Sequence, residues 1–254
     1  MTVAVWSELT APQLTQWVDE AGERAVACVV LGATEQHGPH LPLGTDTDIG
    51  CGLLEHALTQ VSDVSAIVMP PVTIGASDEH AAFAGTLSLP PAVLVEQLRA
   101  YGQAVARAGI RRLVLVNAHG GNTAVIDLAA LALRQDLSLL VAKAYYPKFA
   151  PHPQGPDAEE LRTGLHGGQL ETSLMCALRP HHVDLAQARN FELTQAPWAG
   201  QAPVAWLSQD LNPQGVVGRA GEASQAEGET LVHHYARGLA DVIEALADHP
   251  LPSD

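Results

Sequence analysis

Short β-branched runs alternate with helix-length segments in this chain, and that alternation restricts its fold more than any other feature. Residues 25–32 (AVACVVLG), 65–70 (SAIVMP), 112–117 (RLVLVN) and 138–144 (SLLVAKA) are brief and apolar, as buried strands are. Helical patterns occupy 8–22, 47–61, 91–108 and 122–134; in the first, Leu14, Trp17 and Val18 fall at helical spacing. Two more helices are predicted at 168–178 and 224–247, whereas 147–165 and 196–223 are irregular and rich in Pro and Gly. This order predicts an α/β fold with a parallel sheet covered by helices on both faces. No repeat or linker divides the chain, so residues 1–254 read as one domain.

In parallel sheets of this kind, ligands gather beyond the carboxyl ends of the strands. The polar, chemistry-bearing residues of this chain fall just after its predicted strands. Segment 147–165 precedes His166 and reads as a lid, with Tyr145 or Tyr146 near the pocket.

Composition narrows the function. With 28 acidic and 13 basic residues, the net charge is −15, which disfavours phosphate backbones and anionic lipid surfaces. Together with the lack of a membrane-length apolar run, this makes nucleic acid and membrane unexpected partners. Cys28, Cys51 and Cys176 are odd in number and form no CxxC, so neither a disulfide framework nor a cysteine zinc site is expected. The first residues lack a basic segment followed by an apolar one, and a reducing cytoplasm fits the whole pattern.

Four clusters can carry chemistry. In the first, Glu35 and His37 lie two apart in an extended segment, so they point the same way. Asp46 follows a turn containing Gly38, Pro39, Pro42 and Gly44. The resulting set of mixed oxygen and nitrogen donors suits Zn²⁺, Mn²⁺ or Fe²⁺ better than Ca²⁺ or Mg²⁺, and Asp46 is the candidate bridge between two ions. The same residues also read as a helix cap at Asp46 or Thr47, a solvated loop charge and a locally packed imidazole.

The second cluster, Asn117 to Asn122, joins a strand to a helix. His119 is a further candidate ligand there. Gly120 and Gly121 let backbone N–H groups approach a substrate near a helix N-terminus, and Asn122 is either a substrate contact or that helix's cap. In the third cluster, Glu171 sits among Leu170, Leu174 and Met175 on a helix, where a carboxylate is costly to bury unless paired or metal-bound. It reads as a ligand, a base or a surface charge, and His166 before it as a general acid or base. The fourth stretch runs from Ser77 to Ser88. Ser77 and His80 are its candidate substrate contacts, although Asp78, Glu79 and His80 read equally well as surface charges or subunit contacts.

The stretch Gly32-Ala33-Thr34-Glu35-Gln36-His37-Gly38-Pro39-His40-Leu41-Pro42-Leu43, with Asp46, strongly resembles the opening motif of the creatininase family. The later clusters follow in the family's order, and Gly215-Val216-Val217-Gly218 resembles its late Gly-rich segment. The resemblance spans about residues 8–240. It implies a three-layer α/β/α sandwich with a mostly parallel sheet, two divalent metal ions per chain and a homo-hexamer. It also implies hydrolysis of a C–N amide bond in a small-molecule or small peptide-like substrate by a metal-activated water. Glu35, His37, Asp46, His119 and Glu171 match metal-ligand positions, and His166 and Glu171 match positions near the reacting amide.

Creatininases proper carry a Glu two residues after the motif His, where this chain has Gly121, and no Trp falls between 140 and 190 to hold creatinine. The Gly-Gly form resembles the wider family, which includes formamidopyrimidine deformylases and mycofactocin-precursor peptidases. A competing reading from another class is a non-catalytic metal- or ligand-binding subunit of the same fold. A nucleotide-dependent oxidoreductase lacks support, because no GxGxxG follows the first predicted strand and no Walker A motif is present.

Overall fold

The structure, a computed structural model, describes residues 2–251; residue 1 and residues 252–254 of the single unit expected over 1–254 lie outside the described residues. Its centre is a five-stranded, wholly parallel sheet. The strands are β1 (Val3–Val5), β2 (Val26–Leu31), β3 (Ala66–Val68), β4 (Arg112–Asn117) and β5 (Leu140–Tyr145), in the order β1-β3-β2-β4-β5. The helices are α1 (Ala11–Ala21), α2 (Thr45–Leu58), α3 (Pro91–Arg107), α4 (Thr123–Leu137), α5 (Ala158–Thr163), α6 (Gln169–Leu178), α7 (Ser208–Leu211) and α8 (Gln225–Asp248). β1 is absent from the sequence reading, because three residues at a sheet edge give too short a run to distinguish from a loop.

Side-chain alternation along β2 produces the three layers. Ala27, Val29 and Leu31 pack with Trp17 of α1, Leu94 and Leu98 of α3 and Ile126 and Leu133 of α4. Val26, Cys28 and Val30 face the other way, onto Leu54 and Ala57 of α2 and Leu239 and Ile243 of α8. All six residues of β2 and of β4 are buried, as expected of strands covered on both faces. α6 lies against α8 and α2 and completes the second helical layer. Its approach to α8 needs Gly228, where an added Cβ would meet the Ser173 carbonyl oxygen at 1.8 Å.

The register places the site. Leu31, the last residue of β2, pairs with Asn117, which pairs in turn with Tyr145. The loops after β2, β4 and β5 therefore emerge side by side, and a bridge from Leu31 to Val72 adds the loop after β3. Small antiparallel pieces cover this edge: β6 (Asn190–Phe191) pairs with β9 (Gly218–Arg219), and β7 (Trp198–Ala199) pairs with β8 (Ala202–Pro203).

Segment 147–165, read as an irregular lid, contains α5 and is pinned. Glu160, almost fully buried, accepts hydrogen bonds from the backbone N–H groups of Gln169 and Arg219, both at 2.9 Å. Asp157 caps α5 by accepting from the N–H groups of Glu159 and Glu160. Among the described residues, no helix is long and apolar enough to cross a membrane.

Candidate metal centre

Glu35 leaves the carboxyl end of β2 and is fully buried at the centre of the site. Its Oε2 lies 3.3 Å from Nε2 of His119, and its Oε1 lies 3.4 Å from Nε2 of His80 and 3.6 Å from Nδ1 of His166. His37, two residues on, faces the same way with its Nε2 3.4 Å from Oδ1 of Asp46. The other Asp46 oxygen is 3.5 Å from Nδ1 of His119. Asp46 thus spans His37 and His119. It occupies the first turn of α2, whose N-cap is Gly44, so it serves as neither cap nor solvated loop charge.

Three donor groups have their ligating atoms within 4.8 Å of one another: Glu35, His37 and His166; Glu35, Glu79 and His119; and His37, Asp46 and Glu171. The residues fit cations. Both oxygens of Glu35, Nε2 of His37 and Oδ2 of Asp46 are buried, and none has a hydrogen-bond partner in good geometry among the described residues. Unpartnered buried carboxylates are costly unless something positive completes them.

The charges respond to this crowding. Burial alone lowers the imidazole pKa values, but Asp46 beside His37 and Glu35 beside His119 reverse the effect, pushing His37 up to about 9 and His119 up to about 10. Burial also opposes ionisation of Glu35, yet His119, His166 and His37 hold it well below the usual carboxylate range. Burial raises Asp46 and Glu79, and raises Glu171 to about 7. His80 is pushed down to about 4, and His166 is also held well below the ordinary imidazole value, both chiefly by burial. His166 Nε2 lies 2.7 Å from the Gln36 carbonyl, so Nε2–H donates there and the Nδ1 lone pair faces Glu35.

The centre opens into a cavity of about 710 Å³. Asp46, His119, His166, Glu171, His80, Gly120 and Gly121 line it, as do Tyr145, Leu165 and Trp206. Two expected substrate contacts do not face it. Ser77 is fully buried behind His119, with Oγ 3.3 Å from its Nε2. Asn122 is also fully buried; it accepts from the Ala76 N–H and donates to the Gly32 carbonyl, clamping two loops together, and its side chain does not cap α4. Tyr146 packs into the core instead of the pocket.

Glu79 and Trp206 were missed as site residues. Glu79 sits in a polar loop that gives no sign of which carboxylate turns inward. Trp206 arrives from a Pro- and Gly-rich segment between the motif that ends at Ser173 and the late Gly-rich motif at 215–218.

Comparison with known proteins gives the family. The sequence profile of the creatininase family, described as creatinine amidohydrolase, matches residues 7–243. The mycofactocin precursor peptide peptidase of Mycolicibacterium smegmatis is 34% identical over 223 residues, covering 85% of this chain and 83% of that protein. A creatininase in its manganese form superposes with a TM-score of 0.80 at 29% identity, over 96% of this chain and 99% of that one. A zinc–zinc form of a creatininase variant gives 0.79 at 29% identity, over 96% and 98%. With a matched profile, the same three-layer fold and relatives that are hydrolases of C–N bonds, this chain belongs to the creatininase family.

Proposed function

We propose that this protein is a metal-dependent amidohydrolase that holds two divalent ions, Zn, Mn or Fe, and cleaves a C–N amide bond in a cyclic amide, a formamide or a small peptide-like substrate. One observation carries the reading: buried donors without partners, in overlapping groups, open onto a cavity large enough for such a molecule. Glu35 and His119 would hold one ion, His37 and Glu171 the other, with Asp46 between them. What the ions supply is Lewis acidity, giving a more acidic water and a polarised carbonyl.

The chain's own residues do the rest. Gly120 and Gly121 present a bare backbone edge to the substrate. Glu171 faces the same cavity with one oxygen accepting from the Gly167 N–H at 2.6 Å, which leaves the other oxygen for the ion; only if it is not a ligand would it be free to act as the base. His166, read from sequence as a general acid or base, is kept neutral by burial with its Nε2–H committed to Gln36, so its Nδ1 lone pair is placed to accept a hydrogen bond and orient a group in the cavity. Leu165, Tyr145 and Trp206 supply the larger apolar and aromatic surface of the cavity. The cytoplasm as location, and assembly as a homo-hexamer, belong to the same proposal; sedimentation analysis tests the assembly.

The deciding experiment measures metal content by mass spectrometry, then amide hydrolysis after chelation and add-back. Two ions per chain with restorable hydrolysis of a creatinine, formamide or dipeptide-amide panel supports the proposal. A metal-loaded protein inert across that panel points to the non-catalytic binding subunit.

A further inference from the structure

Glu79 is in none of the motifs that resemble the family's ligand positions, yet it is built into the centre. Its Oε1 lies 3.6 Å from Nε2 of His119, the atom that also approaches Oε2 of Glu35 at 3.3 Å and the Ala76 carbonyl oxygen at 2.9 Å, a hydrogen bond the ring gives up when Nε2 binds an ion. These three side chains can present their donors to one point. Glu35 is fully buried, and neither of its oxygens has a hydrogen-bond partner in good geometry among the described residues; an ion that displaces the His119 proton would meet Glu35 and Glu79 together.

The space Glu79 enters exists because residue 121 is glycine. A Cβ there would stand 2.5 Å from Glu79 Oε1, 2.5 Å from His119 Nε2 and 2.2 Å from the Ala76 carbonyl. Any side chain at 121 would compete with Glu79 for one volume. The 119–122 turn has thus given up a side chain at the point where the loop after β3 delivers a carboxylate.

We propose that Glu79 is a ligand of the divalent ion held by Glu35 and His119, entering through the space that Gly121 leaves. This rests on the metal-dependent reading above and adds a residue to it: one carboxylate ligand comes from the loop after β3. Glu79 remains partly exposed to the cavity.

The test titrates metal-free, full-length protein with Mn²⁺ and follows the free ion by electron paramagnetic resonance. Wild type, Glu79→Gln and Glu79→Asp are compared. For Glu79→Gln, one of two dissociation constants should rise roughly a hundredfold or more, beyond the about 10–100-fold expected when a residue only supports a ligand. The other constant should stay unchanged, and Glu79→Asp should recover part of the loss. Two ions bound with wild-type constants in Glu79→Gln would overturn the proposal and leave the metal-dependent reading intact. No Mn²⁺ bound by wild type would end both. Matching circular dichroism and melting of the metal-free proteins exclude misfolding. Anomalous scattering from Mn²⁺-soaked wild-type crystals decides without any variant: density touching Glu35 and His119 but not Glu79 overturns the assignment.

Discussion

Nδ1 of His37 lies 3.1 Å from the backbone carbonyl of Glu35, two residues earlier. The ring donates Nδ1–H to that carbonyl, so Nε2 is the nitrogen that faces Asp46 and Glu171. One extended dipeptide step therefore places a carboxylate and fixes the tautomer of the next donor, an orientation metal-binding histidines need.

Asp46 touches both His37 and His119 through different oxygens. Replacing Asp46 with Asn should abolish tight binding of both ions, whereas Glu171→Gln should affect one. Mass spectrometry of dialysed protein checks this; two ions retained in Asp46→Asn would rule out a bridging role.

Metal binding should release protons and strengthen as pH rises. In the metal-free protein, His37 stays protonated to about pH 9 and His119 to about 10, so at neutral pH an incoming cation must displace protons from both rings. Because both folded pKa values are raised, their stabilisation of the metal-free protein is fully present below the unfolded histidine value, near 6.5. It is lost as pH climbs through 9 and 10. Calorimetric titration in buffers of different ionisation heats measures the protons released. The melting temperature of chelated protein should fall across that alkaline range, while the loaded protein changes less.

Much of the centre was readable from the sequence because its donors lie close together along the chain. Glu35, His37 and Asp46 fall within 12 residues, and His119 and Glu171 occupy motifs of their own. The sheet was readable for a similar reason: β2 and β4 are buried on both faces, so their apolar runs are unbroken. What escaped depends on contacts distant in sequence. Nothing in the Ser77 to His80 stretch says that Glu79 turns inward while Asp78 accepts from Ser88 at the surface. Asn122 has the residue type of a helix cap, but tertiary contacts to Ala76 and Gly32 claim its side chain.

Trp206 should contribute to substrate affinity more than to chemistry. It lines the cavity with Tyr145 and Leu165 and belongs to none of the donor groups. Trp206→Ala should raise KM roughly tenfold, equivalent to about 1.4 kcal/mol of lost apolar contact, with kcat changed less than about threefold. Steady-state kinetics on any accepted amide decides; a fall in kcat at constant KM would contradict it.

Asn122→Ala should destabilise without emptying the metal centre. The Ala76 N–H and the Gly32 carbonyl would both lose a buried partner, which costs about 2–4 kcal/mol in total. Denaturant unfolding of the metal-free variant measures the loss, and its metal content should match wild type. A stable variant with weakened substrate binding would restore Asn122 to the substrate site.

Segment 147–165 should behave as a fixed wall. A lid needs weak anchoring, but the Glu160 carboxylate holds the N-terminus of α6 through Gln169 and holds β9 through Arg219. Its other oxygen faces the Arg219 guanidinium at 3.5 Å. Glu160→Ala would leave two buried N–H groups unpaired and should cost about 2–4 kcal/mol. In wild type, hydrogen exchange over 158–165 should be slow and insensitive to metal or product. In Glu160→Ala the same amides should exchange faster, and limited proteolysis should then cut the segment. If wild-type exchange there slows sharply when product binds, the segment closes over the site as a lid, and the Glu160 anchor must release during turnover.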